Sequence, residues 1–128
     1  MAIGSLYTTL GRFDQATLYL EAAAKVNPDL PAVNLVLADV YLKQQRADAA
    51  IIRAKQVLKT EPKVVGARLV LGGAYLQKKQ VDLALTEFQQ ALALDPKQPV
   101  AHLSLGTVFE QKGKTEQAIA AYRKAIAL

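Results

Sequence analysis

Three prolines recur along the chain at a constant interval, and this repetition constrains the fold more than any other feature. Pro28, Pro62 and Pro96 follow one another at intervals of 34 residues, and each follows a polar residue at the end of an apolar-periodic segment. Proline lacks the amide hydrogen that a helix interior needs, and its ring clashes with the preceding turn. Each position is therefore predicted to mark a helix end, and the period indicates a run of similar helix-turn-helix units.

The same interval relates side chains of similar size and polarity, and we call a set of residues 34 positions apart a column. The aromatic column consists of Tyr7, Tyr41, Tyr75 and Phe109. The alanine column consists of Ala16, Ala50, Ala84 and Ala118. The acidic column consists of Asp14, Asp48, Asp82 and Glu116. Because their spacing matches the packing period, the tyrosines are predicted to be core residues and not stacking platforms.

Residues 65–98 show how one unit is organised. Its first helix is predicted from apolar residues at helical spacing, namely Val70, Leu71, Ala74 and Tyr75. A polar break at residues 77–80 follows, and Asp82 opens a second helix because a carboxylate complements the exposed amide groups there. The buried stripe of this second helix is predicted to be Leu83, Ala84, Phe88, Ala91 and Leu92. Gly72 and Gly73 each cost a helix about 1 kcal/mol relative to alanine, which indicates a close approach or a shallow groove.

Composition favours helices and excludes several classes of site. Alanine and leucine dominate the 128 residues, while tryptophan is absent. Because there is no cysteine, disulfides and thiolate-ligated metals are excluded, and both cytoplasm and periplasm stay open. No apolar stretch reaches the roughly 20 residues that span a bilayer. The chain is therefore predicted to be soluble, without direct membrane insertion.

The net charge of +5 raises the question of a nucleic-acid partner, which would need a clustered basic patch. The 16 lysines and arginines are instead spread along the length, mostly at turn and outer-face positions. This distribution is typical of a solvated helical surface.

The sequence resembles the tetratricopeptide repeat family over its whole length. In the unit from Val65 to Gln98, the residues that fall at the family's signature positions are Leu71, Gly72, Tyr75, Ala84, Phe88, Ala91 and Pro96. The unit from Pro99 onward repeats this pattern with Leu105, Gly106, Phe109, Gly113, Ala118, Tyr122 and Ala125. The unit from Pro31 to Val64 is looser, with Gln45 at the turn glycine and Ala54 at the bulky position. The signature tryptophan is replaced by Asn34, Arg68 and His102.

The resemblance implies an all-α fold, a right-handed α-solenoid of antiparallel helix pairs, as one domain over residues 1–128. The units are expected at about 1–30 (partial), 31–64, 65–98 and 99–128 (truncated). Neither end coincides with a unit boundary and no polar cap follows, so we expect a fragment of a larger protein, from a bacterium by the style of its repeats. Uncapped terminal helices are further expected to allow end-to-end self-association.

Stacked helix pairs of this family place their first helices on the concave wall, where partner contacts are expected. By resemblance, the partner-binding residues are Ala32, Leu35, Val36, Asp39, Lys43, Gly66, Leu69, Val70, Gly73, Gln77, Val100, Leu103, Ser104, Thr107 and Gln111. Leu35, Leu69 and Leu103 form an apolar column down this wall. We therefore predict a protein-interaction scaffold that binds a peptide or helix with apolar anchors. In the alternative, these leucines pack against neighbouring units and offer little to a partner.

Other functions find less support in the sequence. The chaperone-tail clamp of the family needs cationic and amide donors, but its positions here hold Leu35, Asp39, Val70, Val100 and Ser104. A nucleic-acid-binding helical repeat needs a basic stripe, and the groove columns contain Lys43 as their only cation. An accessory segment of a larger enzyme or assembly machine, such as a secretion, pilus or exopolysaccharide system, stays open as an alternative.

Catalysis is not predicted, because convergent polar groups are scarce. His102 is the only histidine and occupies a packing column, so a core or half-exposed role is favoured over metal ligation. Ser5 and Ser104 have no recognisable base nearby, and no phosphate-binding loop is present. We therefore predict neither a metal nor an organic cofactor.

Overall fold

In a computed structural model of the chain, residues 13–128 are described, and this part is all helical. It contains seven α-helices and no strand. The helices are α1 (Phe13–Val26), α2 (Pro31–Lys43), α3 (Ala47–Thr60), α4 (Val65–Gln77), α5 (Val81–Leu94), α6 (Pro99–Gln111) and α7 (Thr115–Ala127). None of these helices is long and apolar enough to cross a membrane.

The helices form pairs that repeat along the chain. The first helices α2, α4 and α6 begin at residues 31, 65 and 99, and the second helices α3, α5 and α7 begin at 47, 81 and 115. Within a pair the two helices pack on each other, and each second helix also packs on the first helix of the next pair. This arrangement confirms the predicted α-solenoid of antiparallel helix pairs. The residues before 13, which include Tyr7 of the aromatic column, lie outside the described part.

Each pair is joined by a three-residue turn with the same hydrogen bonds every time. The amide of Arg46 donates to the carbonyl of Tyr41 at 2.8 Å, and the two later turns repeat this bond at the same distance. This is the Schellman arrangement, which needs a left-handed residue just beyond the helix end. Gln45, Lys79 and Gly113 occupy that position with φ of 62°, 60° and 74°. Only the last of them avoids the steric cost of a side chain there.

We expect Lys79→Gly to raise the free energy of unfolding by about 0.5 kcal/mol, because relief of the left-handed strain exceeds the added entropy of the unfolded chain. The matched reverse change, Gly113→Lys, should lower it by about 1 kcal/mol. A methyl group at Gly113 would meet no atom within 4 Å, so that loss would be a backbone effect. Urea denaturation of both variants checks the signs, and two changes of the same sign would refute the explanation.

The columns found in the sequence form the core. The described alanine column is buried throughout, at 0% exposure for Ala16, Ala50 and Ala84 and 2% for Ala118. Tyr41 and Tyr75 are buried, as predicted, while Phe109 is half-buried. Residues 34 positions apart therefore share similar environments.

The glycine at position 72 makes room for an aromatic ring from the second helix of its pair. A methyl group there would lie 2.5 Å from Cε1 of Phe88, which is less than two carbon atoms can tolerate. A methyl group at Gly106 would likewise collide with the ring of Tyr122. The close approach predicted at Gly72 is thus made by a side chain and not by a second helix backbone.

The predicted buried stripe of α5 was wrong at one position. Leu83 is 50% exposed, whereas Leu85 is partly buried against the core. Side chains two residues apart on a helix point in different directions, so α5 cannot bury Val81, Leu83 and Leu85 equally.

The acidic column connects neighbouring units. Asp48 lies 2.5 Å from the ammonium of Lys78, and Asp82 is bonded to Lys112. The side-chain amide of Gln44 donates to Asp14 at 3.4 Å in the same way. The hydrogen bond and charge of Lys112 lower the pKa of Asp82. These carboxylates therefore bridge successive turns in addition to lying in the first turns of their helices.

Candidate functional site

The first helices of successive units contact one another and line one side of the solenoid. α2 packs on α4, and α4 packs on α6. On α4, the residues Gly66, Leu69, Val70 and Gly73 follow the i, i+3, i+4, i+7 spacing that places side chains on one helix face. This face forms the middle of the candidate site.

Two glycines of α4 give the floor of the site its shape. Side chains of α2 lie over them, because a methyl group at Gly66 would be 3.6 Å from both methyls of Leu35 and one at Gly73 would be 3.1 Å from a methyl of Leu42. The two leucines are thereby held between neighbouring helices with part of their surface open. The floor of the site is therefore aliphatic.

A cavity of about 630 Å³ opens along these helices, and we call it the concave groove. Its lining residues are Leu35, Val36, Asp39, Leu42, Gly66, Leu69, Val70, Gly73, Val100 and Ser104. Nine of these ten are among the residues predicted from the sequence, and Leu42 was missed. Leu42 lies seven residues after Leu35 on the same face of α2, and that spacing was a signal that could have identified it.

Six predicted residues do not line this cavity. They are Ala32, Lys43, Gln77, Leu103, Thr107 and Gln111. The side-chain amide of Gln77 donates to the carbonyl of Leu42 at 2.8 Å, so it ties α4 to α2. Leu103 is 52% exposed and stands outside the cavity on α6. Among the lining residues, Val70 is buried and presents little surface.

The concave groove carries little charge. Asp39 is the only charged residue in its lining, and its carboxylate lies 3.0 Å from the ammonium of Lys43. Ser104 adds one hydroxyl group. An aliphatic wall with a single neutralised carboxylate suits apolar side chains and offers no cation to a phosphate or a terminal carboxylate.

His102 lies half-buried, away from the concave groove. Its Nε2 is 2.9 Å from the carbonyl oxygen of Pro96. Asn34, in the same column, makes the equivalent bond from Nδ2 to the carbonyl of Pro28 at 2.9 Å. Within residues 13–128, no three or more histidine, aspartate or glutamate side chains lie together in a group that could hold a metal ion.

Comparison with known families agrees with this architecture. The family model described as Tetratricopeptide repeat matches residues 1–54, 35–99 and 80–128, which together span the chain. The chain belongs to the tetratricopeptide repeat family. The tetratricopeptide repeat fold is in general a protein-interaction scaffold.

Solved structures of other tetratricopeptide repeat proteins share the fold. TTC0263, a thermophilic protein of this family from Thermus thermophilus, is 28% identical with a TM-score of 0.90, over 99% of this chain and 71% of that one. A crystal structure of MamA is 28% identical with a TM-score of 0.87, over 99% and 74% of the two chains. A further MamA structure, designated MSR-1 C2, is 30% identical with a TM-score of 0.82, over 97% and 71%. No curated protein matches the sequence significantly.

Proposed function

We propose that the chain is a scaffold that binds a peptide or an amphipathic helix of a partner protein in the concave groove. The observation that carries this proposal is one continuous aliphatic cavity to which three successive first helices contribute. Its volume of about 630 Å³ falls within the range of roughly 300–1,000 Å³ that is typical of binding pockets.

The lining determines which side chains suit the groove. Leu35, Leu69 and Val100 come from three different helices and leave aliphatic surface open. A partner helix would place residues at i, i+3, i+4 and i+7 against such a wall, as helix-in-groove complexes do. We infer that the anchors are aliphatic or aromatic and that the charges of the partner lie outside the groove.

Leu69→Glu should weaken binding at least thirtyfold, about 2 kcal/mol, because it buries a carboxylate against aliphatic side chains. Peptides would be selected from a random twelve-residue library against the native chain, and their affinities measured by fluorescence anisotropy. Leu83→Glu is the matched control, since it makes the same change at an exposed site on the second helix α5.

The selected peptides should lose affinity for Leu69→Glu and keep it for Leu83→Glu, while circular dichroism shows both variants folded. Equal affinity for the two variants would rule out the concave groove as the binding site. Affinity that falls steeply with salt would instead favour an electrostatic partner such as a nucleic acid.

We also propose end-to-end self-association through α7. Ile119 and Ile126 are 44% and 85% exposed, whereas their column neighbours Leu85 and Leu92 are partly buried against the core. Light scattering during dilution should show a falling mean mass, and Ile126→Glu should remove that dependence. A constant monomer mass over the same range would exclude this association.

A further inference from the structure

A second groove lies on the outer side of the solenoid, between the second helices α5 and α7 and above α6. We call it the outer groove and define it by Leu92, His102, Leu105, Phe109, Ala121 and Lys124. It consists of two adjoining cavities of about 380 and 240 Å³, which share Leu92, His102 and Lys124. Neither cavity is part of the concave groove.

In the unit that begins at Pro31, charged side chains span the equivalent place. Arg53 of α3 lies 3.0 Å from the carboxylate of Glu21 on α1, and it also donates to the side-chain oxygen of Asn34 at 3.0 Å. The hydroxyl of Tyr41 donates to the same Glu21. Burial and this carboxylate raise the pKa of Tyr41 to about 12. A network of polar side chains therefore spans the outer side of this unit.

The next unit has a different pair at the same positions. Arg68 of α4 lies 3.0 Å from Glu87 of α5, and the two side chains are only 20% and 15% exposed. The residues involved, 34 with 53 and 68 with 87, are in both cases 19 positions apart.

In the unit that begins at Pro99, the corresponding residues are His102 and Ala121. A methyl group cannot reach across the groove, and the imidazole of His102 bonds to the carbonyl of Pro96. Phe109 occupies the position of Tyr41 but has no hydroxyl group, and Gln89 occupies the position of Glu21 but has no carboxylate. The charged pair is thus replaced by an open space.

The open space combines apolar walls with a cation. Leu92, Leu105 and Phe109 supply hydrocarbon surface, and no acidic side chain lines either cavity. Lys124 lines both cavities and forms no ion pair with any residue of the described part. Each of the two cavities is close to the lower limit of about 300 Å³ for ligand sites, so each accommodates one or two side chains.

We propose that the outer groove binds a short, extended acidic segment of a partner protein. A carboxylate of that segment pairs with Lys124, and an adjoining aliphatic side chain lies against Leu92 and Phe109. The partner thereby supplies the negative charge that Glu87 and Glu21 supply in the preceding units. This surface is independent of the concave groove, so a scaffold that uses both can hold two segments at once.

Two capped dipeptides that differ only in charge test the proposal. N-acetyl-glutamyl-leucinamide and N-acetyl-lysyl-leucinamide would be titrated into the 15N-labelled chain, with amide shifts followed by NMR. Fragments of this size bind with dissociation constants on the order of 1–10 mM. The acidic dipeptide should give saturable shifts near the outer groove, and the basic one should give none.

Three variants sharpen the test. Lys124→Gln should lower the affinity for the acidic dipeptide at least fivefold. Ala121→Glu should abolish binding of this dipeptide, because its carboxylate fills the space. Lys55→Gln, at an exposed lysine of α3, should leave binding unchanged. Equal shifts with both dipeptides, no saturable shifts, or unchanged affinity in Lys124→Gln would overturn the proposal. Shifts of the same amides on concentrating Ile126→Glu alone, in which association through α7 is removed, would assign the groove to a second copy and overturn the proposal as well.

Discussion

Phe88→Ala is expected to lower the free energy of unfolding by about 4 kcal/mol, a larger loss than we expect from changes at Gly72 or Glu87. The ring is 1% exposed and packs directly on Gly72. Its removal leaves a cavity between α4 and α5, which cannot close without moving both helices. Urea denaturation followed by circular dichroism measures the loss.

Gly72→Ala should lower the free energy of unfolding by about 2 kcal/mol, because the added methyl group collides with the ring of Phe88. The higher helix propensity of alanine offsets only part of that loss. The two changes together recreate a pair that the chain already contains. Ala38 and Ala54 occupy the equivalent positions in the preceding unit, and both are fully buried.

The double variant Gly72→Ala with Phe88→Ala should therefore cost about 4 kcal/mol and not the additive sum of about 6 kcal/mol. The new methyl group fills space that the ring has left. Additive costs would show that the two positions do not share one packing site, contrary to the structure.

Glu87→Ala is expected to lower the free energy of unfolding by about 3 kcal/mol. The substitution leaves Arg68 largely buried with its charge unpaired, and its Nε has no hydrogen-bond partner even in the native chain. Thermal and urea unfolding would both report the loss, and high salt should diminish it only slightly because the pair is shielded from solvent.

A second substitution should restore most of that stability. Arg68→His together with Glu87→Ala reproduces the His102 and Ala121 pair of the following unit. The double variant should therefore lower the free energy of unfolding by only about 1 kcal/mol. A double variant as unstable as Glu87→Ala alone would mean that side-chain pairs cannot be transferred between units. If the pair is transferable, the Arg68→His, Glu87→Ala double variant should also have a second outer groove beside the first.

The 34-residue periodicity of the sequence predicted the repeating helix-turn-helix units, and the resemblance to the tetratricopeptide repeat family predicted how those units stack. The recurring alanines at positions 50, 84 and 118 and the recurring tyrosines at 41 and 75 are all buried in the core. These positions are determined by packing, which repeats when the residues repeat.

Details that depend on the direction of a side chain could not be read from the sequence. Leu83 and Leu85 are chemically alike, and only the orientation of α5 decides that the first is exposed. Leu42 shares a helix face with Leu35, which its spacing could have shown, but its contact with Gly73 depends on how α2 and α4 pack. The sequence contains both residues but does not show that they meet.

Charged pairs were the least predictable feature. Arg53 and Glu21 lie 32 residues apart, on α3 and α1, and join across α2. Arg68 and Glu87 form a pair of opposite order at related positions. Long flexible side chains can reach several partners, so the pairing depends on rotamers that packing alone selects. The outer groove, which results from a missing pair, was hidden for the same reason.

Above all, we propose that the concave groove of this chain receives a partner polypeptide. The most direct test is to measure intermolecular nuclear Overhauser effects between a selected peptide and the methyl groups of the chain. We predict contacts from apolar side chains of the peptide to the methyls of Leu35, Leu69 and Val100. Contacts confined to Ile52 and Leu83, which lie exposed on the second helices, would contradict the account.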